Sequence, residues 1–256
     1  TDSIVKIKQT DPLTTKSRSN SIYDIFFDKN EIMWVGTFSF GVCYSNLKRK
    51  PFYLYSISDE ESLFFAKMVN CLIDYDNDNI WIGTEESGLF LFNRRTLKFK
   101  QFKPESKNNN SLAGVNVKSI GRESNGNLWI GYYASGLDYF NLKTNKIIHF
   151  KAEKNSTNSI SSNSIRAIVL DEKANIFIGT DKGVDFRSNE NLGFKHLNLD
   201  IEVLNLYKDN NNRIWAGTSG DGIYLLNSKS MIFEKKYSAY FTTTIRAIHV
   251  DSKNNL

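Results

Sequence analysis

Apolar and polar residues alternate with a period of two along most of the chain, in short runs separated by segments rich in Asn, Asp and Gly. This period predicts β-strands, and no segment sustains the 3.6-residue period of an amphipathic helix. One stretch shows four runs in succession, MVNCLIDY (68–75), IWIGT (80–84), LFLFN (89–93) and LKFKQF (97–102). The Asn, Asp and Gly residues in the tight turns supply the positive φ angles that hairpins need. The pattern therefore predicts consecutive antiparallel strands.

This four-strand unit recurs along the chain. Its second strand carries Trp-x-Gly or Phe-x-Gly, and the glycines of five copies lie 47, 48, 48 and 38 residues apart, at Gly36, Gly83, Gly131, Gly179 and Gly217. A sixth copy opens with TIRAIHVDSKNNL (244–256), which matches SIRAIVLDEKANI (164–176) nearly position for position. Such periods are typical of β-propeller blades. We expect an all-β fold of four-stranded antiparallel blades, an incomplete arc of a larger, seven-bladed propeller.

The repeat also divides the chain into blades. Five complete blades are expected at 20–67, 68–114, 115–162, 163–200 and 201–243, with the end of a preceding blade at 1–19 and the start of the next at 244–256. Neither terminal piece completes a blade, and an open arc exposes an apolar face at each end. We therefore expect the parent protein to supply further blades.

Each second strand carries one large ring, at Trp34, Trp81, Trp129, Phe177 and Trp215. Such rings are interpreted as wedges between neighbouring blades. The glycine two positions later is expected where the backbone of the next strand or blade comes close.

The shared template, N-x-(L/I)-W-I-G-T-x-x-x-G-(L/I)-x-x-(F/L)-N, resembles the two-component regulator propeller repeat over essentially the whole chain. The Asp-box of sialidases matches less well, because Asp28 precedes Trp34 by six residues rather than four. The fourth copy departs from the template, since Phe177 replaces Trp and the loop after Gly179 is one residue shorter.

The resemblance implies the periplasmic sensor region of a membrane-bound hybrid two-component sensor histidine kinase of the Bacteroidetes type. It further implies an oligosaccharide or polysaccharide fragment as the ligand and a signalling domain elsewhere in the same chain. A homodimer of the parent protein is compatible with it. The kinase chemistry would belong to the parent protein, and no catalytic residue is expected in this segment.

Two other classes of function stay open. A non-catalytic interaction scaffold is one, because a propeller fold does not determine function. A propeller glycosidase or lyase is the other, and it needs convergent carboxylates or a nucleophile with its base. Glu85 and Glu86 are adjacent loop acids, whose side chains usually diverge, so catalysis is the less favoured alternative.

Composition indicates which classes of binding partner to expect. The net charge of +5 comes from scattered lysines without a basic block, so no nucleic-acid contact is expected. Cys43 and Cys71 lie in apolar runs outside any CxxC motif and are interpreted as buried, reduced thiols. The three histidines are far apart in sequence, at His149, His196 and His249, and neither a metal nor a cofactor is expected.

The loops between the second and third strands vary among the copies and are candidates for recognition. They contain Phe38, Phe40, Glu85, Glu86, Tyr132, Tyr133, Asp181, Lys182 and Asp221. The template does not require the four aromatic residues among them, and aromatic faces stack well on sugar rings. The alternative is that these rings pack beneath neighbouring long loops.

A second set of candidates comes from aligning the first strands, which places six residues at one position: Tyr23, Asn70, Lys118, Arg166, Leu204 and Arg246. The first strand is the innermost of a blade, so a partial ring near the channel mouth is expected. Its three cations would focus positive potential on carboxylate- or sulfate-bearing ligands. The alternative is that they are solvated or paired with acids such as Asp24. All but Leu204 are taken as candidate ligand contacts.

Overall fold

The computed structural model describes residues 22–29, 32–37, 41–46, 49–55, 68–191, 193–237 and 244–251. In these ranges the chain forms β-strands and no helix. The first three blades contain β1 (Ile22–Phe27), β2 (Ile32–Thr37), β3 (Val42–Asn46), β4 (Arg49–Tyr55), β5 (Val69–Asp74), β6 (Asn79–Thr84), β7 (Leu89–Asn93), β8 (Lys98–Phe102), β9 (Val117–Arg122), β10 (Leu128–Tyr132), β11 (Leu137–Asn141) and β12 (Lys146–Phe150). The next two contain β13 (Ile165–Leu170), β14 (Ile176–Thr180), β15 (Gly183–Arg187), β16 (Lys195–His196), β17 (Val203–Lys208), β18 (Ile214–Thr218), β19 (Ile223–Asn227) and β20 (Ile232–Tyr237).

The strands form five four-stranded antiparallel sheets, each built from four strands consecutive in sequence. Within blade 2, Ile82 of β6 lies opposite Leu72 of β5 and Phe90 of β7. The first strands of successive sheets contact one another, β1 with β5, β5 with β9, β9 with β13 and β13 with β17. The sheets are therefore arranged as blades whose first strands lie innermost, and the all-β propeller fold class is confirmed.

The hydrophobic core lies between neighbouring blades. Trp34 of blade 1 packs edge-on against Phe92 of blade 2, with ring centroids 5.8 Å apart. Between blades 3 and 4, Gly131 leaves room for Ile165, since a Cβ on Gly131 would lie 2.4 Å from Ile165 Cγ2. The glycine after each wedge ring is thus required by the approach of the next blade's first strand.

The two ends of the described arc differ in burial. Ile245, Ile248 and Val250 of the sixth copy pack against Trp215 of blade 5. On β1, by contrast, Ile22, Ile25 and Phe27 are about half exposed, at 52%, 50% and 54%. The expected blade remnant at 1–19 lies outside the described residues. Among the described residues, no helix is long and apolar enough to cross a membrane.

Candidate functional site

One end of the innermost strands brings the variable loops and the first-strand positions together. The backbone N–H that follows each second strand donates to the carbonyl just before the first strand of the same blade. These bonds join Glu85 to Met68 at 3.1 Å, Tyr133 to Asn116 at 3.1 Å, Asp181 to Ser164 at 3.4 Å and Ser219 to Glu202 at 2.9 Å. Side chains from both segments therefore meet at the inner edge of each sheet. We call seven of them the mouth cluster: Asn70, Glu85, Asn116, Lys118, Tyr133, Arg166 and Glu202.

Glu85 of blade 2 holds one half of the mouth cluster. Its carboxylate accepts hydrogen bonds from Asn70 Nδ2 at 2.9 Å, Asn116 Nδ2 at 2.7 Å and Lys118 Nζ. Asn116 and Lys118 belong to blade 3, so this network spans a blade boundary. Burial raises the pKa of Glu85, but the hydrogen bonds from Lys118, Asn70 and Asn116 outweigh burial and lower it. Glu85 is therefore held as a carboxylate.

Tyr133 and Arg166 form the other half. The guanidinium Cζ of Arg166 lies 4.9 Å from the centroid of the Tyr133 ring, and Lys118 Nζ lies 5.8 Å from it. Arg166 also donates through Nε to Glu202 Oε1 at 3.1 Å, which links blade 4 to blade 5. Tyr133 is 47% exposed, so about half of its side chain is open to solvent beside two cations.

The aromatic neighbour of Tyr133 does not share this exposure, which corrects the expectation for Tyr132. Tyr132 is the last residue of β10 and is fully buried, at 0% exposure. It occupies the position that Thr84 takes in blade 2, and its hydroxyl donates to Asp138 Oδ2 at 2.7 Å. The period-two alternation of the strand continues through this residue, so its ring points into the blade and cannot stack on a ligand.

Of the two alternatives for the first-strand cations, pairing with acids holds for Lys118 and Arg166. Lys118 pairs with Glu85 and Arg166 with Glu202, so the positive charge of both is compensated. Asp24 is not their partner, because its Oδ2 accepts the backbone N–H of Leu72 at 3.0 Å between blades 1 and 2. Pairing wins for Lys118 and Arg166 because each lies beside an acid supplied by an adjoining blade.

The remaining candidates lie outside the mouth network. Tyr23, Glu86, Asp181, Lys182 and Arg246 are exposed. Asp221 accepts hydrogen bonds from Tyr224 and Lys235 of its own blade. Phe38 and Phe40 lie outside the described residues.

Sequence reasoning missed Asn116 and Glu202. Asn116 lies two residues before Lys118, and Glu202 two residues before Leu204, at the same position in their blades. Because side chains two residues apart on an extended chain point to the same side, the ring position itself was a signal for these residues. Their partners, Glu85 and Arg166, come from other blades, and no nearby residue in the sequence indicates this pairing.

The described residues contain no group of three His, Cys, Asp or Glu side chains that could hold a metal ion. Cys71 is a partly buried free thiol, and burial and the nearby Asp24 carboxylate raise its pKa. It therefore stays protonated and weakly nucleophilic. The side chain of Cys43 lies outside the described residues.

Comparison with known proteins gives a family match over two short segments and a shared fold. Residues 16–39 and 198–220 match the family model described as two component regulator propeller. No curated protein matches the chain in sequence.

Among solved structures, the extracellular domain of the putative hybrid two component system BT4673 from B. thetaiotaomicron is 18% identical, with a TM-score of 0.74 over 91% of this chain and 30% of that one. The corresponding domain of BT3049 from the same organism is 20% identical, with a TM-score of 0.60 over 93% of this chain and 38% of that one. A catalytically inactive virginiamycin B lyase from Staphylococcus aureus with quinupristin is 12% identical, with a TM-score of 0.65 over 87% of this chain and 71% of that one. The chain thus spans about a third of the length of the first two.

Proposed function

We propose that this chain, which carries the two-component regulator propeller repeat, is the ligand-sensing extracytoplasmic region of a membrane-bound sensor, and that an oligosaccharide or polysaccharide fragment binds at its mouth cluster. The repeat and the fold shared with extracellular domains of hybrid two component systems support the sensor role. The periplasm as the compartment and a histidine kinase as the output are parts of the same proposal. We propose no catalytic role for the segment.

The observation that carries the proposal is the exposed ring of Tyr133 among polar side chains from several blades. A sugar presents an apolar C–H face, which stacks on an aromatic ring, and a rim of hydroxyl groups, which need donors and acceptors. Glu85 and Glu202 offer carboxylate oxygens as acceptors, while Lys118 and Arg166 offer donors. A ligand on Tyr133 would therefore contact several blades at once.

The charge pairing favours a neutral saccharide over an acidic one. Lys118 and Arg166 already pair with Glu85 and Glu202, so an acidic ligand would have to displace a carboxylate from each cation. A neutral hydroxyl group can share these pairs without breaking them. We therefore expect the affinity to change less than about twofold between about 0.05 and 0.5 M salt.

The test begins with a glycan array probed with the intact extracellular region of the parent protein, followed by calorimetry on the best glycan. Tyr133→Ala should weaken binding at least about tenfold, which is about 1.4 kcal/mol. Tyr133→Phe should retain most of the affinity, because the stacking face survives. Ile232→Ala, at an exposed position on the outermost strand of blade 5, is the matched control and should bind like the wild type.

Two results would contradict the proposal in different ways. Unchanged affinity of Tyr133→Ala for a glycan that does bind would remove the site and leave the sensor role. Failure of the intact region to bind any glycan would favour a protein-interaction scaffold instead.

A further inference from the structure

Two histidine–aspartate pairs occupy the same place in blades 3 and 4. His149 of β12 lies opposite Asp138 of β11, and His196 of β16 lies opposite Asp185 of β15. The distances from Nδ1 to Oδ1 are 2.6 Å and 2.9 Å, and both carboxylates are fully buried. The corresponding pairs are Phe90 with Gln101 in blade 2 and Tyr224 with Lys235 in blade 5. Within blades 2 to 5 the arrangement is therefore confined to two adjacent blades.

Each buried carboxylate also holds the chain segment that enters its blade. Asp138 Oδ2 accepts the backbone N–H of Ala113 at 2.8 Å, and Asp185 Oδ2 accepts that of Ser161 at 2.8 Å. Ala113 lies in the crossover 103–116 and Ser161 in the crossover 151–164. The hydroxyl of Tyr132 also donates to Asp138, and that of Ser161 to Asp185. Both oxygens of each aspartate therefore lie within hydrogen-bonding distance of a partner, Oδ2 of a backbone N–H and a hydroxyl and Oδ1 of the histidine.

The second nitrogen of each imidazole also faces an acceptor. His149 Nε2 lies 3.0 Å from the carbonyl oxygen of Asn109, in the crossover 103–116. His196 Nε2 lies 2.9 Å from Asp200 Oδ1, in the crossover 197–202. Carbonyl and carboxylate oxygens only accept, and a neutral imidazole donates from one nitrogen only. With these acids as carboxylates, all four bonds form together only when both rings are imidazolium ions.

The charges around the two rings also favour the imidazolium form. Burial lowers the pKa of His149, but Asp138 and the Asn109 carbonyl outweigh it and raise the pKa, with Lys151 opposing them. Burial also lowers the pKa of His196, and Asp185 and Asp200 outweigh it and raise the pKa. The geometry and these charges both place the protonated state in the folded structure.

The two crossovers held by Nε2 end in the mouth cluster. The crossover 103–116 ends at Asn116, which donates to Glu85, and the crossover 197–202 ends at Glu202, which accepts from Arg166. Asn109 and Asp200 thus lie in segments that lead directly to mouth residues.

We propose that His149 and His196 form a pH-sensitive double clamp, which as imidazolium ions binds Asn109 and Asp200 of the crossovers 103–116 and 197–202 to blades 3 and 4 and gives up these two bonds on deprotonation. On losing its proton, each ring keeps the bond to its buried aspartate and loses the donor that reaches Asn109 or Asp200. The clamp does not depend on which ligand the mouth binds.

Hydrogen exchange of the intact protein, followed by mass spectrometry between about pH 5.5 and 8.5 and normalised to the intrinsic rates, tests the clamp. In the wild type, protection of peptides covering 103–116 and 197–202 should fall at least about fivefold as the pH rises, with midpoints above about 6.5, the ordinary value for histidine. His149→Gln should lose protection at low pH in 103–116 only, and His196→Gln in 197–202 only. His249→Gln, in the sixth copy, should behave like the wild type.

A nuclear magnetic resonance titration of the wild-type protein provides a second measurement that needs no substitution. The chain has only three histidines, so their ring signals can be assigned individually. The ring resonances of His149 and His196 should titrate above pH 6.5. Protection independent of pH in both wild-type segments, or ring pKa values at or below 6.5, would overturn the clamp.

Discussion

Asp209 accepts a hydrogen bond from the indole N–H of Trp215, six residues further along the chain, at 2.9 Å. The same bond joins Asp28 to Trp34 at 3.0 Å and Glu123 to Trp129 at 3.0 Å. The acid lies in or next to the first hairpin turn and the ring in the second strand. An acid six residues before the tryptophan therefore ties the turn of a blade to its wedge. Blade 2 is different, because Tyr75 takes that position and Trp81 Nε1 is buried without a partner.

This difference predicts unequal effects of the same substitution. Trp215→Phe and Trp81→Phe remove the same volume, but only the first breaks a hydrogen bond to a buried carboxylate, which contributes about 1.5–3 kcal/mol. We expect Trp215→Phe to reduce the free energy of unfolding by about 2 kcal/mol more than Trp81→Phe, as measured by urea denaturation. Equal losses in the two variants would show that the indole bond contributes nothing net.

Tyr132 and Tyr133 are adjacent in sequence and should differ in what their removal does. Tyr132→Ala leaves a cavity in the blade and should destabilise the fold by about 3–5 kcal/mol. Tyr133→Ala removes a half-exposed ring and should change the free energy of unfolding by less than about 1 kcal/mol. Tyr132→Phe, which keeps the ring and loses only the bond to Asp138, should fall between them. Thermal and urea unfolding of the three variants measure the order, and a Tyr133→Ala loss as large as that of Tyr132→Ala would contradict the assigned burial.

Asp24 predicts a pH dependence of stability. Burial raises its pKa from 3.8 to about 6, although the N–H groups of Leu72 and Ile25 lower it. The folded state thus binds this proton more tightly than the unfolded state. The resulting stabilisation is complete below about pH 4 and is lost as the pH rises to about 6. At pH 7 the ionised carboxylate therefore opposes folding by up to about 3 kcal/mol.

Asp24→Asn keeps an oxygen for the Leu72 N–H and removes the charge. We expect this variant to be more stable than the wild type at pH 7 by about 1–3 kcal/mol, and the advantage to vanish near pH 4. Denaturant titrations of both proteins at the two pH values measure it. An advantage of the same size at both pH values would exclude the carboxylate charge as its cause.

The third turn of blade 2 holds a leucine in a conformation that suits asparagine. Leu97 has a φ of 59°, whereas blade 3 has Asn145 at the corresponding place with a φ of 52°. The left-handed region costs an ordinary side chain about 1–2 kcal/mol, and asparagine tolerates it. Because Leu97 is exposed, Leu97→Asn should raise the free energy of unfolding by about 1 kcal/mol. Asn145→Leu is the reverse control and should lower it by a similar amount.

Much of the fold could be predicted from the sequence because the signals are local. The alternation of period two located the strands of blade 2 to within two residues, and the spacing of Gly36, Gly83 and Gly131 indicated how often the unit repeats. Both patterns arise within a single hairpin or a single blade, so they can be recognised without knowing the rest of the structure.

For the candidate site, the sequence predicted the positions of some residues but not their partners. The alignment of first strands correctly brought Asn70, Lys118 and Arg166 to one end of the blades, because equivalent residues of a repeat occupy equivalent places. It could not show that Lys118 pairs with Glu85, 33 residues away in the preceding blade. Nor could it show whether Tyr132 begins the loop or ends the strand, since that depends on one residue of pairing at the end of β10.

By itself the sequence determined the blades, their strand order and the aromatic wedges, because these follow from periodicity within each repeat. Only the tertiary structure decided the contents of the mouth cluster and the partners of His149 and His196 in the proposed clamps. The charge pairs of the mouth cross from one blade to the next, and each clamp joins a blade to a crossover. Their distances depend on how consecutive sheets are rotated about the common axis, which no local pattern encodes.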